Sequence, residues 1–488
     1  MTLSRLIKSL KGCNVNYHLA DFQVKGISCN SKKTGAGFIF VAIKGTNADG
    51  NAFIDEALKN GAKAVVVGAS ELTMHRLYNA PVIAVDDPRR ALAILSSEFY
   101  GNPSKKIKVA GITGTNGKTT ISYLLEAILK EAGKTPAVIG TINYRFKDKS
   151  LPSINTTPGP LELQSMLAEM LKEKINYALM EVSSHALHQQ RIAGIIFHSA
   201  IFTNLTQDHL DYHKTLEDYF QAKARLFQEL SPEAFAVINA DDSYGRRLKS
   251  ITAAKVVTYA IDNPADVTAK DIKFDIAHTE FTLACLGRDI SLKTSLIGRH
   301  NVYNILACAG WAAKEGLDLK IFQKALENFP CVPGRLQRLE TDRGFSVFVD
   351  YAHTDDALNN VIKTLRQVSK GRIIVVFGCG GERDRLKRPK MGAVVTELAD
   401  YAVITNDNPR SEEPLDIIEE IKKGIKKDNY CVIPDRMEAI KKSLSIASQG
   451  DIVLVAGKGH ENYQIIKDKK LEFDDRKMVR KCLALMKS

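Results

Sequence analysis

Val109-Ala110-Gly111-Ile112-Thr113-Gly114-Thr115-Asn116-Gly117-Lys118-Thr119-Thr120 is the stretch on which the reading of this chain turns. Ile107 to Ile112 is a short, β-branched apolar run and reads as a buried strand. Glycines, Lys118 and two threonines follow, and then Ile121-Ser-Tyr-Leu-Leu-Glu-Ala-Ile-Leu-Lys, an apolar-periodic run that reads as a helix. Strand, glycine loop, Lys-Thr and helix is the order a phosphate cradle needs. Glycines let backbone N–H groups turn toward phosphate oxygens, and the helix N-terminus adds positive potential. The lysine ammonium reaches the outer phosphates, and a threonine hydroxyl can ligate Mg²⁺. The spacing departs from the usual pattern at one place, where Ile112 stands instead of glycine. The bland alternative is a plain glycine turn between strand and helix.

The composition frames that loop. A length of 488 residues sets a prior of about three domains. With 44% hydrophobic and 25% charged residues, the chain has the balance of an ordinary globular protein with an ample core. No apolar run approaches the roughly 18 residues of a membrane span, and no secretory h-region follows the short amphipathic N-terminus, so a cytoplasmic protein without membrane insertion is expected. The eight cysteines are scattered singly, without a Cys-x-x-Cys pair, which points away from structural zinc and from a disulfide framework. The formal charge of +12 is spread along the chain without an aromatic-interleaved basic patch. A small substrate rich in phosphate and carboxylate accounts for its sign, and nucleic acid is not expected as a partner.

Three α/β domains are expected, at residues 1–101, 102–334 and 335–488. The first carries strand patterns at Phe38-Ile-Phe-Val-Ala-Ile, Ala64-Val-Val-Val and Pro81-Val-Ile-Ala-Val. Turn-rich Tyr100-Gly-Asn-Pro-Ser-Lys-Lys ends it. The second begins with the phosphate loop and continues through Tyr177-Ala-Leu-Met-Glu181-Val, Ser199-Ala-Ile-Phe-Thr-Asn-Leu and Ala236-Val-Ile-Asn, separated by helical patterns, as in a mainly parallel sheet. Residues 255–297 alternate more and suggest added antiparallel strands. A Pro/Gly stretch from Phe329 to Arg335 reads as the next hinge. The third repeats the parallel pattern, and its strands end in Asp350-Tyr-Ala-His353, Gly378-Cys-Gly-Gly-Glu-Arg383, Asp407-Asn-Pro-Arg410 and Gly457-Lys-Gly-His-Glu461. In open parallel sheets such C-terminal ends line the ligand crevice.

A phosphate loop needs a metal, and neighbouring strand ends offer Glu181 and His209 beside the Thr119 hydroxyl. Each has a plainer reading. Glu181 also reads as a cap for a helix at Ser183-Ser184-His185, and His209 with His213 as a zinc site. By spacing alone, Lys223 is a solvated helix lysine, and Thr156 and Thr157 are turn residues before Pro158.

Gly114-Thr-Asn-Gly-Lys-Thr-Thr120, Asn155-Thr-Thr157, Glu181-Val-Ser-Ser-His185, Asn204-Leu-Thr-Gln-Asp-His-Leu-Asp-Tyr-His213, Gly298-Arg-His-Asn301, Pro333-Gly-Arg335, Asp350-Tyr-Ala-His353 and Asp407-Asn-Pro-Arg410 run through all three units. In this order they resemble the Mur ligases, the cytoplasmic ATP-dependent amide-bond synthetases of peptidoglycan precursor assembly. The off-pattern phosphate loop is that family's own form.

The resemblance implies a central P-loop ATPase domain, a C-terminal Rossmann-like domain that takes the amino acid, and a smaller N-terminal α/β domain that binds UDP-MurNAc. It implies a monomer that acts on small molecules. It also implies phosphorylation of a peptide carboxylate by ATP, attack of an amine on the acyl phosphate, and release of amide, ADP and phosphate. Gly114, Thr115, Asn116, Gly117, Lys118, Thr119, Thr120 and Asn301 would contact ATP, with Arg335 and Asp350 joining from the hinge and the third unit. Thr119 and Glu181 would hold one Mg²⁺ and His209 would help hold a second, and Lys223 matches a lysine carbamylated by CO₂. Ser31, Thr46, Asn47 and Ala48 would contact the uridine-diphosphate end. Asn155, Thr156, Thr157, Ser183, Gln189 and Arg191 would contact sugar and peptide. Two departures stand out: Asn30-Ser31-Lys32 where the family usually has Asp-Ser-Arg, and Asp355 where it often has proline, a change expected to affect a turn.

Arg383, Asp407, Asn408, Pro409, Arg410, Gly457 and Glu461 match a diaminopimelate pocket. Diaminopimelate carries one more carboxylate than lysine at its far end. An arginine can grip that carboxylate bidentately while acids take the far ammonium. The expected reaction is therefore addition of meso-diaminopimelate to the D-Glu carboxylate of UDP-MurNAc-L-Ala-D-Glu. Three alternatives remain open: a lysine-adding member, a folylpolyglutamate-synthetase-like ligase, and a nucleotide-binding regulatory protein. The plain reading of Arg410 is a surface ion pair with Glu412 or Glu413.

Overall fold

A computed structural model describes residues 1–10, 14–15, 21–45, 48–74 and 80–486. Thr46 and Asn47, two of the expected uridine-diphosphate contacts, lie outside the described residues. By internal contacts the chain forms two compact units, Met1–Thr206 with His213–Thr258, and Gln207–Tyr212 with Tyr259–Ser488.

The first unit opens with a sheet ordered Asn14–Val15, Val82–Val85, Ala62–Gly68, Phe38–Val41, Gly26–Ser28. All its pairings are parallel except that of Asn14–Val15. Ala64 to Val67 are fully buried because both sheet faces are covered. Helix Pro88–Phe99 lies against one face and Ile54–Lys59 against the other. Asp87 starts the longer helix by accepting from the N–H groups of Arg89 and Arg90, with Pro88 at the first helical position.

A second sheet in the same unit runs Phe235–Asn239, Ser199–Phe202, Lys108–Thr113, Tyr177–Glu181, Pro136–Ile139, Asn143–Phe146, Lys149–Pro152. The first five strands are mutually parallel. The last two extend the sheet antiparallel. Strand Lys108–Thr113 sits between Ser199–Phe202 and Tyr177–Glu181. The chain runs from it to Pro136–Ile139 on one side and later crosses from Tyr177–Glu181 to Ser199–Phe202 on the other, so the strand order reverses at this strand. Its C-terminal end is therefore a topological switch point, the place where ligands bind in open α/β sheets. The phosphate loop begins there.

In the second unit, Val267–Phe274, Thr279–Cys285 and Arg288–Thr294 form antiparallel pairs, as the alternation in this region suggested. Helix Arg299–Lys314 buries Trp311 completely. A further sheet is ordered Gln337–Leu339, Ser346–Asp350, Ile452–Ala456, Ile373–Phe377, Tyr401–Ile404, Tyr430–Val432, and only its first edge strand is antiparallel. The strand Ile452–Ala456, last of the parallel strands in sequence, lies between Ser346–Asp350 and Ile373–Phe377. That Rossmann-like order gathers the ends of four strands at one edge. A hairpin, Tyr463–Ile466 with Lys469–Glu472, lies beside the Asp407-to-Arg410 loop. Among the described residues no helix is long and apolar enough to cross a membrane.

Candidate active-site clusters

In the first unit the strand Lys108–Thr113 feeds the loop onto helix Lys118–Glu131. Ile112 is a fully buried strand residue paired in register with Glu181, so at this position the chain needs a core side chain and the turn begins later. Gly114 has φ +145, and a Cβ there would stand 1.8 Å from the Thr203 hydroxyl. No other residue type fits. The loop is clamped from Ser199–Phe202's end: Thr115 N–H donates to the Asn204 carbonyl at 2.8 Å and Asn116 N–H to Asn204 Oδ1 at 3.0 Å. Lys118 Nζ curls back to the carbonyls of Gly114 and Thr115, each at 2.8 Å.

Glu181 is buried beneath this loop. Its Oε2 accepts from the Thr119 hydroxyl at 2.9 Å and from the Thr141 hydroxyl at 2.9 Å, and its Oε1 accepts from Thr141 N–H at 3.1 Å. The capping reading of Glu181 is thereby corrected: Ser183 caps helix Ser184–His188 by accepting from Ala186 N–H. The solvated reading of Lys223 also fails. On helix Leu216–Gln228 it is only 1% exposed, its Nζ donates to the Gly114 carbonyl at 2.9 Å, and it lies over the Tyr219 ring. A lysine buried against a phosphate loop is not a surface helix lysine.

The peptide-side candidates join the same network. Thr157 Oγ1 donates to the Glu181 carbonyl at 2.8 Å and accepts from Ser183 N–H at 3.0 Å. Arg191 donates through Nη1 to the Thr157 carbonyl and through Nε and Nη2 to Gln189 Oε1. Thr156 meets Thr141 hydroxyl to hydroxyl at 3.1 Å, and Asn155 is held through main-chain bonds to the Tyr144 hydroxyl. Ser31 opens the short helical turn Ser31–Lys33 that follows strand Gly26–Ser28 and is capped by Asn30, and its hydroxyl donates to Glu56 Oε2 at 2.7 Å. The Ala48 carbonyl accepts from Gly45 N–H at 2.8 Å. Thr141 was not foreseen: a lone threonine after a glycine carries no sequence signal.

In the second unit, strand ends and the segment Gln207 to Leu210 enclose a cavity of about 730 Å³. Its walls include His209, Arg383, Asp407, Asn408, Arg410, Gly457 and Glu461. Arg410 sits in the left-handed region, φ 52, pinned by its N–H to the Ile465 carbonyl and by Lys467 N–H to its own carbonyl. Its Nη1 donates to the Gly381 carbonyl at 2.7 Å. Pro409 packs its carbonyl against Gly381, where a Cβ would lie 1.9 Å away. The surface-pair reading of Arg410 is corrected as well: Glu412 is engaged by buried Arg388, whose hydrogen bonds hold its carboxyl down at about 2. Asp355, expected to alter a turn, is instead the first residue of helix Asp355–Val368, capped by Thr354. Proline and aspartate are both favoured there.

Asp350 is buried and accepts from the N–H groups of Leu336 and Ala352. Burial pushes its carboxyl up, opposed by nearby Arg335 and by those two N–H groups. The Arg335 guanidinium lies 4.7 Å from the centre of the Tyr351 ring. Asn301 is buried and donates to the Ile297 carbonyl. His209 lies 3.5 Å from Asp208, and His213 packs against the His185, His188 and Tyr219 rings. Among the described residues no three His, Cys, Asp or Glu side chains gather as a metal-binding group. Two polar side chains with direct bonds to this pocket escaped the sequence reading, Lys458 and Gln464. Lys458 stands in the quoted Gly-Lys-Gly-His-Glu run, in which the resemblance singles out only Gly457 and Glu461.

Comparison with known proteins agrees with this architecture. Three family models match in succession: "Mur ligase family, catalytic domain" at residues 23–100, "Mur ligase middle domain" at 112–312, and "Mur ligase, glutamate ligase domain" at 334–459. A UDP-N-acetylmuramoyl-L-alanyl-D-glutamate--2,6-diaminopimelate ligase from Clostridium botulinum is 43% identical over 481 residues, covering 98% of this chain and 99% of its own. The Clostridium tetani protein of the same name is 41% identical over 485 residues, covering 99% of each. A solved structure of a ligase with that name superposes with a TM-score of 0.70 at 35% identity, covering 95% of this chain and 96% of its own. Near-complete coverage at this identity, with motifs in order on a three-domain, mainly parallel α/β architecture, leads to one conclusion: the chain belongs to the Mur ligase family.

Proposed function

We propose that this chain adds meso-diaminopimelate to the D-glutamate carboxylate of UDP-MurNAc-L-Ala-D-Glu, using ATP, in the cytoplasmic assembly of peptidoglycan precursors. The observation that carries the reading is the charge pattern of the second unit's cavity. Arg383 and Arg410 stand with Asp407, Asn408 and Glu461 around one space. A diamino acid with a carboxylate at each end matches that mixture of signs; lysine, lacking the far carboxylate, would leave Arg410 unmatched. Relatives bearing the diaminopimelate name support the same choice.

The chemistry follows from the weakness of a carboxylate as an electrophile. Transfer of the γ-phosphoryl group makes an acyl phosphate, whose phosphate then leaves when the amine attacks. Lys118, with the loop N–H groups from Gly114 to Thr120, would hold the polyphosphate, and Asn301, Arg335 and Asp350 would contact the nucleotide. Thr119 and Glu181 present adjacent oxygens, the donor type Mg²⁺ takes, and are the proposed ligands of one Mg²⁺, with His209 proposed for a second. Bound Mg²⁺ would offset the charge of the phosphates. Lys223 as its carbamate, formed from neutral amine and CO₂ with loss of a proton, would add an anionic oxygen ligand. Asn155, Thr156, Thr157, Ser183, Gln189 and Arg191 would hold sugar and peptide, and Ser31, Thr46, Asn47 and Ala48 the uridine diphosphate.

The domain limits proposed are 1–101 for UDP-MurNAc, 102–334 for ATP and 335–488 for the amino acid; the spans of the three matching models support them. The working unit proposed is a monomer acting on small molecules. The test offers the UDP-MurNAc dipeptide and ATP with either meso-diaminopimelate or L-lysine and follows amide formation. Diaminopimelate should be the acceptor. Preference for lysine overturns the pocket reading, and phosphate release indifferent to both substrates overturns the ligase reading.

A further inference from the structure

The cavity's acidic end is organised from behind by a buried cation. Lys458 is 0% exposed, although it lies in a loop between strand Ile452–Ala456 and the hairpin. Its Nζ donates to Asn408 Oδ1 at 3.2 Å and to Glu461 Oε2 at 3.1 Å. Asn408 Oδ1 also accepts from Ile465 N–H at 2.9 Å, which fixes the amide so that its Nδ2 donates to Glu461 Oε2 at 2.9 Å. Both donors therefore converge on one carboxylate oxygen. Among the described residues Glu461 Oε1 receives no hydrogen bond, and the Glu461 side chain is 17% exposed while it lines the cavity.

A fully buried ammonium is expensive unless paired and hydrogen-bonded. The pairing here is with the two pocket side chains themselves, so the lysine and the pocket geometry are tied together. We propose that Lys458 is a positioning residue for amino-acid selection: it anchors Asn408 and Glu461 Oε2 and leaves Glu461 Oε1 as the acceptor for the far ammonium of a diamino acid. The inference rests on the pocket assignment made above. It explains why a lysine is held in a site that must attract a cation: the lysine charge is spent on the rear oxygen, and the front oxygen faces the ligand.

The test is a double-mutant cycle on the full chain with Lys458→Met, Glu461→Gln and both together, measuring KM for meso-diaminopimelate and for ATP. Each single substitution should raise KM for diaminopimelate by about 10- to 100-fold, the scale of a lost charged hydrogen bond, with KM for ATP changed by less than about twofold. The double variant should match Glu461→Gln alone within about twofold, because Lys458 acts through Glu461. A double variant about tenfold or more worse than Glu461→Gln overturns the proposal, as does a Lys458→Met effect equal on both substrates. If Lys458→Met leaves a lone buried carboxylate and fails to fold, the double variant removes both charges and still decides against Glu461→Gln. An unchanged KM for diaminopimelate in Glu461→Gln instead overturns the pocket assignment beneath the proposal.

Discussion

The Thr119 hydroxyl donates to Glu181 Oε2 at 2.9 Å, which joins the first turn of the phosphate-loop helix to the end of the neighbouring strand. The bond places a hydroxyl oxygen beside a carboxylate oxygen in a buried site, and Thr141 holds the carboxylate from its other side. Glu181→Gln keeps the shape and removes the charge. The Mg²⁺ concentration needed for half-maximal substrate-dependent phosphate release should rise at least about tenfold. An unchanged Mg²⁺ dependence would remove Glu181 from the metal assignment.

Lys223 donates to the same Gly114 carbonyl that receives Lys118. If the amine is carbamylated, protein equilibrated with ¹³C-labelled bicarbonate should give a carbamate carbon resonance that is absent from Lys223→Arg. Activity of Lys223→Arg should fall by about two orders of magnitude or more, as for loss of a charge that stabilises the transferring phosphoryl group. A spectrum identical in both proteins would leave Lys223 as a cation bracing the loop.

Much of this was legible in the sequence, for identifiable reasons. The phosphate loop announced itself because glycines, Lys118 and Thr119 answer one physical demand, and the parallel strands because burial on both faces makes continuous apolar runs such as Ile373 to Phe377. The edges were not legible. Lys149–Pro152 and Lys469–Glu472 are wholly exposed and carry no apolar alternation, so nothing marked them as strands. Lys223 reads by residue type as solvated and Lys458 carries no signal of its own, whereas folding supplies each with buried acceptors distant in sequence. A pairing of that kind leaves no periodic trace.

Arg410→Ala should raise KM for diaminopimelate by the equivalent of about 2–5 kcal/mol, the penalty for truncating a charged partner that the bound ligand desolvates, while KM for ATP moves little. The left-handed backbone at Arg410 is held by main-chain bonds to the hairpin, so the loop should keep its course in the variant. Equal changes in both constants would assign the effect to the loop and not to the guanidinium.

His460 packs against Tyr351, and burial, with Arg335 and Arg476 nearby, pushes its imidazole down to about 3. Folded protein thus keeps His460 neutral while unfolded chain protonates it near 6.5. Below that value the unfolded state binds more protons. The stability contributed by the neutral ring is therefore complete above about pH 6.5 and is lost progressively as pH falls toward 3. His460→Gln should flatten the decline of the urea midpoint between about pH 6.5 and 4. A variant whose midpoint falls as steeply as the parent's would show that the acid loss arises elsewhere.

The Arg436 and Asp475 side chains are both 0% exposed and form a bidentate pair, Nε to Oδ1 and Nη2 to Oδ2, each at 2.7 Å. The arginine's other bonds go to the carbonyls of Asn406 at 3.2 Å and Ala456 at 2.9 Å, just at the ends of two strands that feed the cavity. Arg436→Met would leave a buried carboxylate without its cation, costing about 3–5 kcal/mol. Arg436→Met with Asp475→Leu removes both charges, and such replacements are often neutral. Here the two strand-end carbonyls would still lose their donor, so recovery should be partial. Urea midpoints followed by circular dichroism should therefore rank parent, double variant and Arg436→Met in descending order. A double variant no more stable than Arg436→Met would show that bonding the two carbonyls, and not pairing the charges, is what Arg436 contributes.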